Sequence, residues 1–413
     1  MSVHALADTT ELRVDSIAAG GDGVGRAEGL VVFVPRAAPG DVARVSLERA
    51  RRFARGRLEE VITPSPVRVA PPCPHYTADR CGGCQLQHIA YDAQLEAKRR
   101  IIADSLTRIA RRPTVPPEIR RSDREWRYRT RLTLTMRRGT NGWTMGLRPY
   151  DDPAALFQLH DCPITDERVV ATWREIMDAA DLLPDVDELR GVVRLTSDRR
   201  VVVLRGGTEW PRSADLFAAV PSADALWWAA EGAPAKLLHG RRHAPAGASF
   251  GQVNAGVGDA LHAYVIDLVS AHKPATVIDA YSGTGETAIA LARAGARTTA
   301  IELDRDAAAW CARQLPSGSR SLTGRVEDLL TRALPADAVI VNPPRTGLDE
   351  RVTAVLGRSD VRPRTIVYVS CDPATLARDL TRLPAYDIAS LMAFDMFPQT
   401  AHVETVCELV PAA

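Results

Sequence analysis

Lysine is nearly missing from this chain. Of its 52 basic residues only Lys98, Lys236 and Lys273 are lysine, so basic contacts fall to arginine, whose planar fork suits phosphates and base edges. An excess of either charge is missing too. Fifty-two basic residues meet 51 acidic ones in 413, a net charge of +1, which excludes a uniformly basic nucleic-acid coat and an acidic disordered solvator, though not a local patch. No apolar run approaches the roughly 20 residues of a membrane-spanning helix. The start, MSVHALADTTELRV, has no basic segment followed by an apolar one, so no secretory leader is expected and a cytoplasmic location follows. No heptad or apolar surface stripe argues for a dimer, which leaves a monomer as the expectation. Seven cysteines are an odd number, which in a reducing compartment argues against a disulfide framework.

What is present is organised in three stretches. Residues 11–63 read as short strands broken by glycine turns, the pattern of a small barrel. Its last hairpin carries Arg49, Arg51, Arg52, Arg55 and Arg57, either a solvated face or a seat for RNA phosphates. The proline-rich PSPVRVAPPCP then marks a boundary. Between Asp92 and Arg138 fourteen basic residues face six acidic ones. Within that segment WRYRTRLTLTMRR places Arg127, Arg129 and Arg131 on one face of an expected strand, interleaved with Trp126 and Tyr128, as a single-stranded RNA platform would require. Residues 150–240 are less informative, with GVVRLTS and RVVVLRGG as strand candidates.

From about residue 274 the pattern becomes βαβα. ATVIDA, RTTAIEL, DAVIVN and TIVYVS read as buried parallel strands, RSLTGRV as a weaker one, and AYDIASLMAFDMF with HVETVCELV as two closing strands. This predicts a doubly wound α/β domain. The expected division is a barrel over 1–66, an α+β unit over 67–240 and the doubly wound domain over 241–413.

Several motifs in this last domain bear on chemistry. In DAYSGTGETAIALA, Gly283 and Gly285 make a turn between a strand and a helix, where a backbone can approach a ligand. Gly283, Gly285 and Ala288 also satisfy the relaxed dinucleotide fingerprint, and Glu302 at the end of the next strand suits a ribose in either case. Glu286 in the first helical turn, with Asp279 nearby, would repel a pyrophosphate but tolerates a sulfonium and an amino group. S-adenosylmethionine is the ligand these charges select over a nicotinamide dinucleotide. In VIVNPPRTGLD, Asn342 ends a strand where its amide can meet a planar base or the cofactor, and Pro343 and Pro344 stiffen the loop. In VYVSCDPATLARDL, Cys371 sits just before a helix, a position that lowers a thiol's pKa. Cys311 and Cys407 lie in apolar surroundings and read as inert. In FPQTAHVETV, His402 or Glu404 can move a proton, and an alternating strand would point both to one face.

Cys73, Cys81 and Cys84 read C-x7-C-G-G-C, and Cys162 follows in HDCPI. Four cysteines can hold zinc or a [4Fe–4S] cluster. A single CxxC knuckle with one distant ligand beside a proline leans towards iron–sulfur.

Taken in order, FGQVN (residues 250–254), DAYSGTGE, NPPRTGLD, SCDPATLARDL and FPQTAHVE, with CGGCQLQH and Cys162, resemble the motifs of the bacterial RNA 5-methyluridine methyltransferases, which act on transfer RNA and 23S ribosomal RNA. The resemblance spans nearly the whole chain. It implies a Rossmann-like class I methyltransferase domain, an N-terminal OB-like barrel of the TRAM type and a central α+β iron–sulfur domain. It further implies methylation of uridine C5 by S-adenosylmethionine through a cysteine adduct at C6. By this resemblance Cys371 is the nucleophile and Glu404 the general base. Gln252, Tyr281, Gly283, Glu302 and Asn342 contact S-adenosylmethionine, and Cys73, Cys81, Cys84 and Cys162 bind a [4Fe–4S] cluster. The first cysteine gap is two residues longer than the family's, and Asn342 replaces a common aspartate. The cysteines point to the ribosomal RNA branch, with transfer RNA as the alternative. Two other readings are a methyltransferase acting on an exocyclic amine and a non-catalytic RNA-binding iron–sulfur protein.

Overall fold

The structure, a computed structural model, describes residues 9–412 except 197, 242–251, 359 and 361. Phe250 and Gly251 of the FGQVN motif therefore lie outside the described residues.

The expected strands close into a barrel. β1 (Thr9–Ile17), β2 (Gly23–Ala27), β3 (Leu30–Val34), β4 (Val42–Arg49) and β5 (Phe53–Thr63) run in the order β1-β2-β3-β5-β4, and β4 pairs back onto β1. Alternation turns Leu12, Val14, Val32, Val45 and Ala54 inward. In the hairpin's arginine run, Arg49 meets Glu28 at 2.8 Å and Arg57 meets Glu59 at 2.9 Å, while Arg51, Arg52 and Arg55 are exposed.

After the barrel come α1 (Pro74–Thr77), α2 (Tyr91–Arg108) and β6 (Glu118–Arg120). Ile102 and Leu106 of α2 do not pack in the central unit. They join the C-terminal core beside Leu376 and Leu380, and β6 adds a parallel strand to that domain's sheet.

The central sheet is assembled from β7 (Arg131–Gly139), β8 (Gly142–Leu147), β9 (Phe157–Gln158), β10 (Glu188–Thr196), β11 (Arg199–Arg205), β12 (Ala225–Ala229) and β13 (Lys236–Gly240), in the order β13-β12-β11-β10-β7-β8-β9. One face buries Leu134, Met136, Val193 and Leu204 against α3 (Glu167–Asp178) and α4 (Ser213–Ala219), with Trp173 at the centre. The opposite face holds a separate small cluster of Val192, Val201, Val203 and Ala225. The expected arginine strand is shorter than its sequence suggested. Arg127 has φ +53°, so the chain turns there, and β7 starts only at Arg131. The Arg127 guanidinium is spent on Asp161 (2.9 and 2.8 Å) and the Cys162 carbonyl (3.0 Å), not on an open face.

The C-terminal domain comprises α5 (Ala255–Ala271), β14 (Thr276–Ala280), α6 (Glu286–Arg293), β15 (Arg297–Glu302), α7 (Arg305–Gln314), β16 (Arg320–Thr323), α8 (Val326–Ala333), β17 (Ala338–Val341), α9 (Glu350–Leu356), β18 (Thr365–Ser370), α10 (Pro373–Thr381), β19 (Tyr386–Phe394) and β20 (Glu404–Pro411). Its sheet runs β16-β15-β14-β17-β18-β20-β19-β6. The first five strands are parallel, as their continuous apolar runs require, and β20 returns antiparallel against β18. The order reverses at β14, so a crevice forms at the carboxyl ends of β14 and β17.

Candidate functional site

The topology brings five chain segments to one rim of the sheet. β14 delivers Tyr281 and Gly283, β15 delivers Glu302, β17 delivers Asn342, and β18 delivers Cys371. Because β20 runs antiparallel, its first residue, Glu404, comes to the same rim, with Ser370 and Thr405 paired across the strands. A cavity of about 920 Å³ is lined by all of these and by Gln252. Cys371, Glu404, Gln252, Tyr281, Gly283, Glu302 and Asn342 thus face one cavity, whereas the alternative base His402 does not.

The glycine turn has a steric cause. Gly285 has φ +81°, and a Cβ on it would lie 2.2 Å from Cys311 Sγ, so α7 excludes any side chain. A Cβ on Gly283 (φ +56°) would meet nothing within 4 Å, which leaves room for a ligand against the backbone. Glu302 is fixed by two backbone N–H groups, from Gly283 (2.8 Å) and Asp304 (2.7 Å). Asp279 lies buried beneath the turn, and its carboxylate accepts from Ala288 N–H at 3.1 Å. Burial pushes its pKa up to about 7. Glu286 pairs with His262 at 2.9 Å, an interaction that lowers the carboxylate and raises the imidazole. Its charge is therefore partly neutralised, and the repulsion of a pyrophosphate that the sequence assigned to it is weaker than expected. Nothing in the sequence marked this His262 partnership, which crosses from α5 to α6.

Cys371 departs from expectation. Its thiol pKa is raised, first by burial and then by the charge of Glu404, with Arg345 opposing. The helix that should have lowered it is already capped: the Asp372 carboxylate accepts from Thr375 N–H at 2.8 Å and adds its own negative charge beside the thiol. Glu404 is buried, which lifts its pKa to about 7 against the pull of Arg345. Arg345 lines the cavity and acts on both groups, yet the sequence reading passed over it. Its only sequence signal was its place after the two prolines of NPPR. His402 precedes β20, does not share its alternation and does not line the cavity; burial and nearby cations lower its pKa to about 4.

The four cysteines of the second motif also meet. Cys73, Cys81, Cys84 and Cys162 line a cavity of about 150 Å³ between the CGGC loop and the central sheet. Burial raises all four thiols, Cys81 to about 11, and each is raised further by charge on its neighbours. Among the described residues no group of three or more His, Cys, Asp or Glu side chains is arranged to hold a metal ion.

Comparison with known proteins places this geometry. Residues 313–410 match the family model described as tRNA (uracil-5-)-methyltransferase. An RNA methyltransferase of Thermosynechococcus vestitus is 31% identical over 99% of both chains. The chain belongs to a family of RNA methyltransferases. Another member, an RNA methyltransferase of Halalkalibacterium halodurans, is 29% identical over 97% of each chain. Among solved structures, the Pyrococcus abyssi tRNA (uracil-54, C5)-methyltransferase in complex with S-adenosyl-L-homocysteine superposes with a TM-score of 0.71 and 25% identity, covering 97% of this chain and all of that one. The family likeness therefore extends across barrel, central sheet and α/β domain alike, and the α/β domain has the methyltransferase fold. No helix among the described residues is long and apolar enough to cross a membrane.

Proposed function

We propose that the protein methylates C5 of uridine in RNA through a covalent adduct between Cys371 and C6. One observation carries the reading: Cys371 and Glu404 open into the same cavity as Gln252, Tyr281, Gly283, Glu302 and Asn342. A nucleophile, a buried base and a cofactor rim are thus within reach of one bound base.

S-adenosylmethionine, when bound, supplies an electrophilic methyl group. The residues fit it: Gly283 leaves open space at the turn, and Glu302 presents a carboxylate where a ribose would lie. The Cys371 thiolate adds to C6 of uracil, and the displaced electron pair makes C5 a nucleophile. C5 forms its bond to the methyl carbon as that carbon's bond to the sulfonium sulfur breaks, its electron pair leaving with sulfur as a neutral thioether. Glu404 then takes the proton from C5, the C5–C6 double bond re-forms, and the C6–S bond breaks to return the thiolate. Arg345, cationic beside both groups, favours their charged forms. The target uridine must leave its stack to reach the cavity.

The thiols at Cys73, Cys81, Cys84 and Cys162 would hold a [4Fe–4S] cluster. The four thiols line one cavity, and Cys81, Cys84 and Cys162 are each raised by charge on other cysteines of the set, against the pull of Arg36 on Cys81 and of Arg129 on Cys162. The cluster has no step in the chemistry. The cysteine set supports 23S ribosomal RNA as substrate over transfer RNA, with the barrel acting as a TRAM-type RNA-binding module.

The test is methylation of undermodified total RNA with labelled S-adenosylmethionine, followed by fractionation and nucleoside analysis. Label in 5-methyluridine of the ribosomal fraction is expected. Label in another nucleoside would discard the Cys371 mechanism.

A further inference from the structure

Beside the active-site cavity lies a smaller chamber that the chemistry above leaves unused. It measures about 90 Å³, and its charged lining comes from three elements: His262 of α5, Asp279 of β14 and Glu286 of α6. Gln252, Tyr281, Gly283 and Asn342 line both spaces, so the two meet at the glycine turn. Glu302 and Cys371 line only the larger one.

The charges of the chamber are of both signs. His262 Nδ1 meets the largely exposed Glu286 carboxylate at 2.9 Å. Each partner favours the charged form of the other, which raises the imidazole and lowers the carboxyl. Asp279 and, from the same helix, Asp259 add to the pull on His262. An imidazolium has two N–H groups. Glu286 takes the one at Nδ1, which leaves Nε2 free to donate to a second anion.

The sulfonium of S-adenosylmethionine carries three substituents: the adenosyl group, the methyl group and a chain that ends in an ammonium and a carboxylate. A ribose at Glu302 and a methyl group directed at the base on Cys371 both belong to the larger cavity. The third substituent needs a space of its own, reached past the same turn, and its two opposite charges need partners of both signs. The chamber supplies that combination.

We propose that His262 and Glu286 bind the amino-acid end of S-adenosylmethionine, with His262 donating to the carboxylate and Glu286 accepting from the ammonium. Asp279, buried beneath the turn, adds negative charge on the ammonium side. The inference rests on the cofactor part of the reading above and not on the uridine chemistry.

The test measures binding of two ligands by calorimetry to the full-length wild type, His262→Gln and Glu286→Gln. One ligand is S-adenosylhomocysteine. The other is 5′-methylthioadenosine, which keeps the adenosyl thioether and has a methyl group in place of the amino-acid chain. His262→Gln should lose roughly tenfold or more in affinity for S-adenosylhomocysteine, the worth of a charge-assisted hydrogen bond. Glu286→Gln should lose about twofold to fivefold, because its side chain is exposed. Both variants should bind 5′-methylthioadenosine as the wild type does. Wild-type affinity for S-adenosylhomocysteine in His262→Gln would overturn the inference. An equal loss for both ligands would make the pair a brace between α5 and α6 and overturn it as well. A wild type that binds neither ligand would overturn the cofactor reading and this inference with it. The expected ligand difference in a protein that forms no 5-methyluridine would support the inference and overturn the uridine chemistry alone.

Discussion

Gln94 and Gln399 hold each other in both directions: Gln94 Nε2 donates to Gln399 Oε1 at 2.9 Å, and the Gln399 backbone N–H donates to Gln94 Oε1 at 3.0 Å. Gln399 sits at φ +69°, a conformation that costs a non-glycine residue free energy. Its carbonyl accepts from the N–H groups of Gln85 (3.1 Å) and Leu86 (3.0 Å), which directly follow Cys84. Tyr128 Oη donates to the neighbouring Pro398 carbonyl at 2.9 Å. The loop that leads into Glu404 is therefore fastened to α2 and to the cysteine loop, so one packed region serves both cavities. Replacing Gln94 by Ala leaves several buried groups unpaired. We expect a loss of about 1–3 kcal/mol and a fall in kcat with unchanged S-adenosylmethionine affinity. Urea denaturation and steady-state kinetics would measure both.

Lys98 and Asp395 form an ion pair in which both side chains are wholly buried, and Tyr91 Oη also donates to Asp395 at 2.8 Å. Lys98→Met strands a buried carboxylate and should cost about 3–5 kcal/mol. Adding Asp395→Asn removes the stranded charge while keeping an acceptor for Tyr91. Equilibrium unfolding should show the double variant more stable than Lys98→Met alone; equal stability would mean the pair's charge is not what matters.

Cys371→Ala should abolish both methylation and the covalent RNA adduct, a loss of roughly four orders of magnitude or more. Glu404→Gln should slow turnover by about 10²–10⁴ while the adduct accumulates on denaturing gels. Rapid turnover by Glu404→Gln would move the base role elsewhere.

Burial of Glu404 sets a pH dependence with a definite sign. With a pKa of about 7 the base is mostly protonated at pH 6 and mostly ionised at pH 8, so single-turnover methylation should rise about tenfold across that range. The raised Cys371 thiol pushes in the same direction. Stability runs the other way. A carboxyl lifted from 4.5 to about 7 on folding binds its proton more tightly in the native state, so its contribution is full below pH 4.5 and is lost as the pH passes 7. Glu404→Gln should therefore be more stable than wild type at pH 8, by up to about 3 kcal/mol, and equal to it at pH 4.

Protein purified without oxygen should carry about four irons per chain and absorb visible light. Cys84→Ser should lower the iron content and the thermal stability together. Colourless protein containing zinc would reject the cluster.

Much of the active site was legible because its residues sit in short motifs at strand ends, where local pattern and position coincide. Glu302 closes a parallel strand, Asn342 and Cys371 directly follow one, and Gly283 lies in the turn after another. A doubly wound sheet must bring such ends to one rim, so the sequence placed them without any knowledge of contacts. Cys73, Cys81 and Cys84 were legible for the same reason, being crowded into one loop. The opposed arginines of the central sheet were not. Arg190 and Arg205 stand on different strands, and only cross-strand register makes them neighbours. Arg127, by contrast, looked like part of a face and is not, because a positive φ turns the chain before β7 begins.

By itself the sequence determined the strand and helix periods, the glycine turn, the family motifs and the residues proposed to react. Only the tertiary structure decided how those atoms are charged. The Cys371 thiol is raised because Asp372 caps the helix and Glu404 arrives from a strand more than thirty residues on. Glu404 owes its pKa to the packing around it. The lock between Gln94 and Gln399 spans 305 residues. Ionisation and positioning depend on distance and dielectric, and these exist only once the chain has closed on itself.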